Sequence, residues 1–164
     1  MKFIKTIIAS SMVLLSTANA FADTQTTKYL IFVENGKQAG EQIVQRDDQG
    51  LTKVRFIFKD NGRGPELNEE FRLGADGLIK EYKVTGNSTF GAVVNESYQR
   101  TGDQAEWKST SEQGKKTVSG SALYIPLNSS FAIGSLSITA LEKSADKRLA
   151  LLPSGTLSQS KIGE

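Results

Sequence analysis

The stretch that decides the fold is Lys53-Val-Arg-Phe-Ile-Phe-Lys59, KVRFIFK. Val54, Phe56 and Phe58 fall on one side, Lys53, Arg55 and Lys59 on the other, and Ile57 is the exception. A two-residue period is that of a strand with one buried face; a 3.6-residue helix would scatter the same side chains around its axis. After Asp60-Asn-Gly-Arg-Gly-Pro65 the pattern resumes, with Leu67, Phe71 and Leu73 on one face and Glu69 interrupting it.

The same grammar extends both ways. Upstream, Tyr29, Ile31 and Val33 alternate before Asn35-Gly36, a strong hairpin dipeptide. Gln42 to Arg46 follows, and Asp48-Gln49-Gly50 turns the chain. Downstream, Ala75-Asp76-Gly77 leads into Leu78, Tyr82 and Val84, while Gly86-Asn87 and Gly91 bracket Ser88-Thr89-Phe90. Val93 to Arg100 reads as a strand, and Thr101-Gly102-Asp103 turns into Ala105, Trp107 and Ser109. Ser111 to Lys116, polar around Gly114, reads as a turn or loop. Short strands separated by Gly, Asp and Asn turns predict a mainly β fold: an antiparallel meander that curls into a partial or half barrel. One short helix is expected near the C-terminus, capped by Ser129 or Ser130, with Ile133, Leu136, Ala140 and Leu141 at helical spacing and Lys143 in its last turn. Gly134, Ile138 and Thr139 work against it. Leu149 to Leu152, Pro153-Ser154-Gly155 and Thr156 to Ile162 predict a final hairpin.

Residues 1–22 read as a signal peptide rather than part of the fold. Lys2 and Lys5 form a basic start, Ile7 to Leu15 is apolar, and the small-residue sites Ala18-Asn19-Ala20 and Ala20-Phe21-Ala22 follow. The apolar run falls short of the roughly 20 residues a membrane-spanning helix needs. Cleavage before Phe21 and before Asp23 fit equally, and either delivers a periplasmic protein with no membrane span. Residues 23–164 form one β-rich domain.

Removing Lys2 and Lys5 leaves 18 basic against 18 acidic residues, so the mature chain is formally neutral. A neutral surface without a basic cluster argues against nucleic acid as a partner. The chain has no Cys and no His. It is therefore held by packing rather than disulfides, and histidine-based acid–base chemistry, the Ser-His-Asp arrangement and histidine-built zinc sites are excluded.

Few candidates for chemistry remain. Asn61, Gly62, Arg63, Gly64 and Pro65 form a candidate interaction loop, whose amides could cradle an anion beside Arg63. A phosphate loop, however, needs Lys-Ser or Lys-Thr before a helix, and here Pro65-Glu66 and a strand follow. Glu66, Glu69 and Glu70 would repel an anion, so the loop reads as a tight exposed turn with Arg63 paired to a carboxylate. Ser144 to Lys147 and Ser158 to Lys161 match Ser-x-x-Lys, but in polar sequence where lysine keeps its proton. Asn87, Asn95 and Asn128 lie in glycosylation sequons, which matter only in a eukaryotic secretory pathway. Glu69-Glu70 with Glu81 could form a carboxylate pair, but reads more simply as solvent-facing charge across from Lys80 and Lys83. The core is predicted from Val54, Phe56, Phe58, Phe71, Tyr82 and Trp107 on one face; with Phe90 and Tyr98, these aromatics either fill the sheet or line an apolar cavity.

In this order and spacing, "YLIFVENGKQAG", "DNGRGPELNEEF", "GADG", "VTGNSTFGAVVNESY", "AEWKSTSEQG", "ALYIP" and "LLPSG" make the chain resemble the N-terminal region of exported amidohydrolase-family proteins of Gram-negative bacteria. The resemblance covers essentially the whole mature chain. It implies a β-rich region ahead of a metal-dependent hydrolase barrel, whose His-x-His pair, later histidines and aspartate hold a divalent metal. None of those residues can be placed on this sequence. No catalytic residue, metal site or cofactor is expected here, and the chain reads as the front part of such an enzyme. Its partner would be the downstream barrel or another periplasmic protein. Two other readings stand beside this one: a free-standing periplasmic protein holding an apolar small molecule in its curled sheet, and a metal-free hydrolase working through Ser and Lys or paired Glu.

Overall fold

The computed structural model describes residues 24–163; the expected signal peptide and both cleavage sites lie outside them. Eight strands follow one another: β1 (Gln25–Phe32), β2 (Gln38–Arg46), β3 (Leu51–Phe58), β4 (Glu66–Leu73), β5 (Ile79–Asn87), β6 (Val93–Thr101), β7 (Gln104–Lys108) and β8 (Gln113–Thr117). Each pairs antiparallel with the next, so the order in space is the order in sequence, and the sheet stays open with β1 and β8 as its edges. The mainly β meander predicted from KVRFIFK is the fold.

Alternation fixes which face is buried. In β3, Thr52, Val54 and Phe56 are buried while Lys53 and Arg55 are exposed. Antiparallel register carries this face across the sheet in rows, one of which runs Phe71, Tyr82, Tyr98, Trp107. Val54, Phe56, Phe71 and Tyr82 are buried; Phe58 and Trp107 are only half-buried and pack against the core from its margin. Phe90 is a correction: 85% exposed, it sits on the tight turn closed by the Gly91 N–H donating to the Ser88 carbonyl, where no core can reach it.

The candidate loop is the tightest hairpin type. Asn61 and Gly62 have φ of 49° and 76°, and Asp60 and Arg63 exchange backbone hydrogen bonds of 2.8 and 2.9 Å. Two positive φ values in a two-residue turn match the right-handed twist of the flanking strands, which is why Asn-Gly is found there. Ser111 to Lys116 is a second correction. Most of it belongs to β8, which lacks apolar alternation because it is an edge; the Trp107 indole lies over Gly114, where any Cβ would collide with the ring.

A smaller sheet closes one end. β9 (Ala122–Tyr124) runs parallel to β10 (Arg148–Leu152), and β10 pairs antiparallel with β11 (Thr156–Ser158). The expected final hairpin is therefore present with a shorter second arm, and β9 joins it as a third strand. Parallel strands need a crossover, and α1 (Phe131–Lys143) supplies it between β9 and β10. Ser130, not Ser129, is its N-cap; the Ser130 Oγ accepts from the Ala132 N–H at 3.3 Å. Ile133 packs into the main core, while Ala140 and Leu141 join Leu78, Leu123 and Leu149 in a second cluster. Gly134, Ile138 and Thr139 face solvent, so their poor helix propensity is offset by burial on the other side.

Candidate functional site

Two acidic residues stand in the inward rows. Glu69 on β4 and Glu96 on β6 each lie opposite Val84 on the intervening β5, and they are 1% and 2% exposed. Glu69 thus does not face solvent as expected. Neither carboxylate has an ion-pair partner among the described residues; each is met by hydrogen-bond donors from the segment that leads from β9 into α1. The Ser130 N–H donates to Glu69 Oε1 at 2.5 Å, the Ser130 hydroxyl to Oε2 at 2.6 Å, and the Tyr82 hydroxyl to Oε1 at 3.1 Å. The Tyr124 hydroxyl donates to Glu96 at 2.5 Å, and the Leu127 N–H reaches both its oxygens at 3.1 and 3.2 Å.

A carboxylate is an acceptor only, so a cluster of pure donors is its natural surround. Burial nevertheless pushes the Glu69 carboxyl above its ordinary range, against the pull of the Ser130 hydroxyl, the Ser130 N–H and the Tyr82 hydroxyl. Burial, followed by the Glu69 charge, pushes the Tyr82 phenol far up; burial and the hydrogen bond to Glu96 do the same for Tyr124. Both phenols stay protonated and act as donors. Tyr98 stacks on Tyr124 with ring centroids 4.2 Å apart. The inside of the curled sheet is thus filled by the chain itself, and the two glutamates clamp the segment that fills it.

One flank remains open. A groove of about 560 Å³ lies between α1 and the β1–β2 hairpin. Val44, Phe71, Phe131 and Leu136 give it an apolar lining, and Tyr29 and Phe131 flank it with more than half their surface exposed. Gln42 also lines it, 6% exposed, and its Oε1 has no hydrogen-bond partner among the described residues. Arg46 lines it too, its Nε donating to the Thr52 hydroxyl at 3.2 Å. Sequence reading missed this groove, because its walls come from β1, β2 and a helix some 90 residues further on.

The other candidates are kept apart by the fold. Glu69 and Glu70 are successive strand residues and point to opposite faces. Glu70 pairs with Lys53 at 3.5 Å, Glu81 with Arg72 at 3.7 Å, and Lys80 with Asp76 at 2.8 Å, so no two of these glutamates form a catalytic pair. Ser144 is the C-cap of α1, its Oγ donating to the Leu141 carbonyl at 2.7 Å, and Lys147 donates to the Glu142 carbonyl. Asn61 to Pro65 forms the β3–β4 turn, and Gly62, Arg63 and Gly64 share a cleft with Asn87 to Gly91. Arg63 forms no ion pair among the described residues, against the expected pairing with a carboxylate. A depression of about 820 Å³ lies on the outward face and is lined by alternating charges including Glu70, Arg72, Glu81 and Lys83.

Comparison with protein-family models, with curated proteins and with solved structures gave no match. The divalent metal that the amidohydrolase resemblance implies does not fit this chain's residues. The sequence has neither His nor Cys, and among the described residues no three acidic side chains gather as a metal site would require. Among the described residues, too, no helix is long and apolar enough to cross a membrane.

Proposed function

We propose that residues 23–164 form a non-catalytic β domain of an exported, periplasmic amidohydrolase-like protein. It serves as a scaffold for a metal-dependent hydrolase barrel, supplied by the same polypeptide or by another periplasmic protein. The metal, and the chemistry on amide or cyclic-amide bonds, belong to that barrel. The observation that carries this reading is the occupied interior: Tyr124 and Ile133 pack into the core on the inward face, and Glu69 and Glu96 clamp the segment between them. A sheet filled by its own chain is built to hold a shape, which favours a packing role over an internal chamber for a small molecule.

The test compares the mature chain with a fusion that includes its genomic continuation. Residues 23–164 should hydrolyse no amide, ester or cyclic-amide substrate with or without added zinc, whereas the fusion should. The coding sequence after codon 164 should continue, in frame or after a frameshift, into a His-x-His pair. Metal-dependent turnover by residues 23–164 alone would sink the scaffold reading; a terminator followed by an unrelated gene would exclude a barrel on the same polypeptide.

A further inference from the structure

The groove beside α1 carries Gln42 and Arg46 at two points fixed by a strand, with apolar side chains between them and the hydroxyl residues Thr52 and Ser135 also in its lining. Gln42 and Arg46 both lie on the inward side of β2, four residues and so about 13 Å apart. At one end, the buried Gln42 Oε1 has no hydrogen-bond donor among the described residues, an arrangement that costs free energy. At the other, the Arg46 guanidinium is tied only through Nε to Thr52 and forms no ion pair among the described residues. Among the described residues no Asp or Glu lines the groove, so none of them repels an anion there.

We propose that this groove binds the C-terminal end of an extended apolar peptide. Its free carboxylate meets Arg46, whose planar fork suits a carboxylate. A backbone N–H three or four residues earlier donates to Gln42 Oε1 after that buried side chain turns into the groove, and apolar side chains between them pack on Val44, Phe71, Phe131 and Leu136. The spacing matches, because an extended peptide rises about 3.3 Å per residue and offers an N–H at each one. A fatty acid would satisfy Arg46 and the apolar wall but would leave the Gln42 oxygen unpaired. The assignment stands on the groove alone: failure here leaves the domain reading intact, and the readout is binding rather than hydrolysis.

The probe is N-acetyl-Val-Leu-Val-Leu with a free carboxylate, titrated into residues 23–164 by calorimetry. Its C-terminal amide and decanoate serve as comparisons. Saturable binding is expected below about 1 mM. The amide form, and the Arg46→Met variant with the acid, should each bind at least about tenfold more weakly, and Gln42→Leu about fivefold more weakly. Absence of saturable binding overturns the proposal, and so does equal affinity for the peptide amide, a comparison that needs no variant to fold. Decanoate binding as tightly as the peptide, with Gln42→Leu unaffected, overturns the peptide assignment in favour of a simple apolar acid.

Discussion

Replacing Glu69 by Ala would remove the acceptor of two buried donors at once, the Ser130 N–H at 2.5 Å and the Ser130 hydroxyl at 2.6 Å. Tyr82 would not be stranded, because its hydroxyl also reaches the Asn128 carbonyl oxygen at 3.1 Å. A buried donor left without a partner costs about 1–3 kcal/mol, so two cost about 2–6 kcal/mol. Deleting the carboxylate also relieves its own burial, the cause of its raised pKa, which trims the loss. We expect Glu69→Ala to cost about 2–4 kcal/mol. Glu69→Gln keeps the shape and one oxygen; its amide nitrogen would face the Ser130 hydroxyl, which accepts as readily as it donates. That change should cost no more than about 1 kcal/mol. Urea unfolding followed by circular dichroism, at unchanged slope, separates the two. If the Ala variant unfolds within about 0.5 kcal/mol of the parent, the clamp is not what holds the segment.

The pH dependence adds a second readout with a definite sign. The folded-state pKa of Glu69 is raised, so the folded protein binds this proton more tightly than the unfolded chain does. The stability contributed by the group is therefore fully present below the ordinary carboxylate range and is lost as pH rises through the raised value. Glu69→Gln cannot titrate. Its stability relative to the parent should climb as pH rises from the ordinary carboxylate range through the raised value, with a slope of at most about 1.4 kcal/mol per unit. A difference that is flat over that range would show that the carboxylate is not desolvated in solution.

Phe56 is 3% exposed and meets the Phe131 ring edge-on at 5.1 Å, so Phe56→Ala should lower stability by about 3–5 kcal/mol; equal melting of variant and parent would misplace this face. Arg63→Ala changes an exposed side chain that flanks a two-residue turn and has no ion pair among the described residues, and it should cost no more than about 0.5 kcal/mol. Phosphate or nucleotide titration should detect no binding at that loop, and tight binding abolished in the Arg63 variant would restore the anion-cradle reading.

Much of this architecture is legible in the sequence because it is local. The alternation at Val54, Phe56 and Phe58 is written in adjacent letters, and Asn35-Gly36 and Asn61-Gly62 carry the turn geometry in their own φ preferences. What escapes is non-local. Ser130 lies 61 residues from Glu69, and no periodicity announces that its hydroxyl and amide will meet a carboxylate. The trace that is present is parity: Glu69 sits between Leu67 and Phe71, and Glu96 between Val94 and Tyr98, each an acid at an inward position. An acid in an apolar row is either a break in the strand or a buried acceptor, and its neighbours' alternation argues for the acceptor. β8 and β9 escape for different reasons. β8 is an edge strand with no apolar face to show, and β9 is three residues long and paired in parallel across a helix. The groove depends on both kinds of distance at once.

The choice of glutamate at 69 and 96 follows from what the segment between β9 and α1 must satisfy. The first turn of a helix leaves N–H groups without intrahelical partners, and a chain entering over the inside of a sheet has no water to meet them. Ser130 caps the Ala132 N–H with its hydroxyl oxygen, but its own N–H and hydroxyl proton still need acceptors. An aliphatic residue at 69 would strand both, whereas a glutamine would keep one acceptor and offer an amide N–H that the Ser130 hydroxyl can accept. A carboxylate offers acceptors to both donors, so the burial penalty is accepted in exchange for a defined position of the helix start. That position has a second consequence. Phe131 follows Ser130 directly and forms one wall of the groove that holds Gln42 and Arg46. The clamp that fixes the entry to α1 thereby also positions the residue that forms that wall.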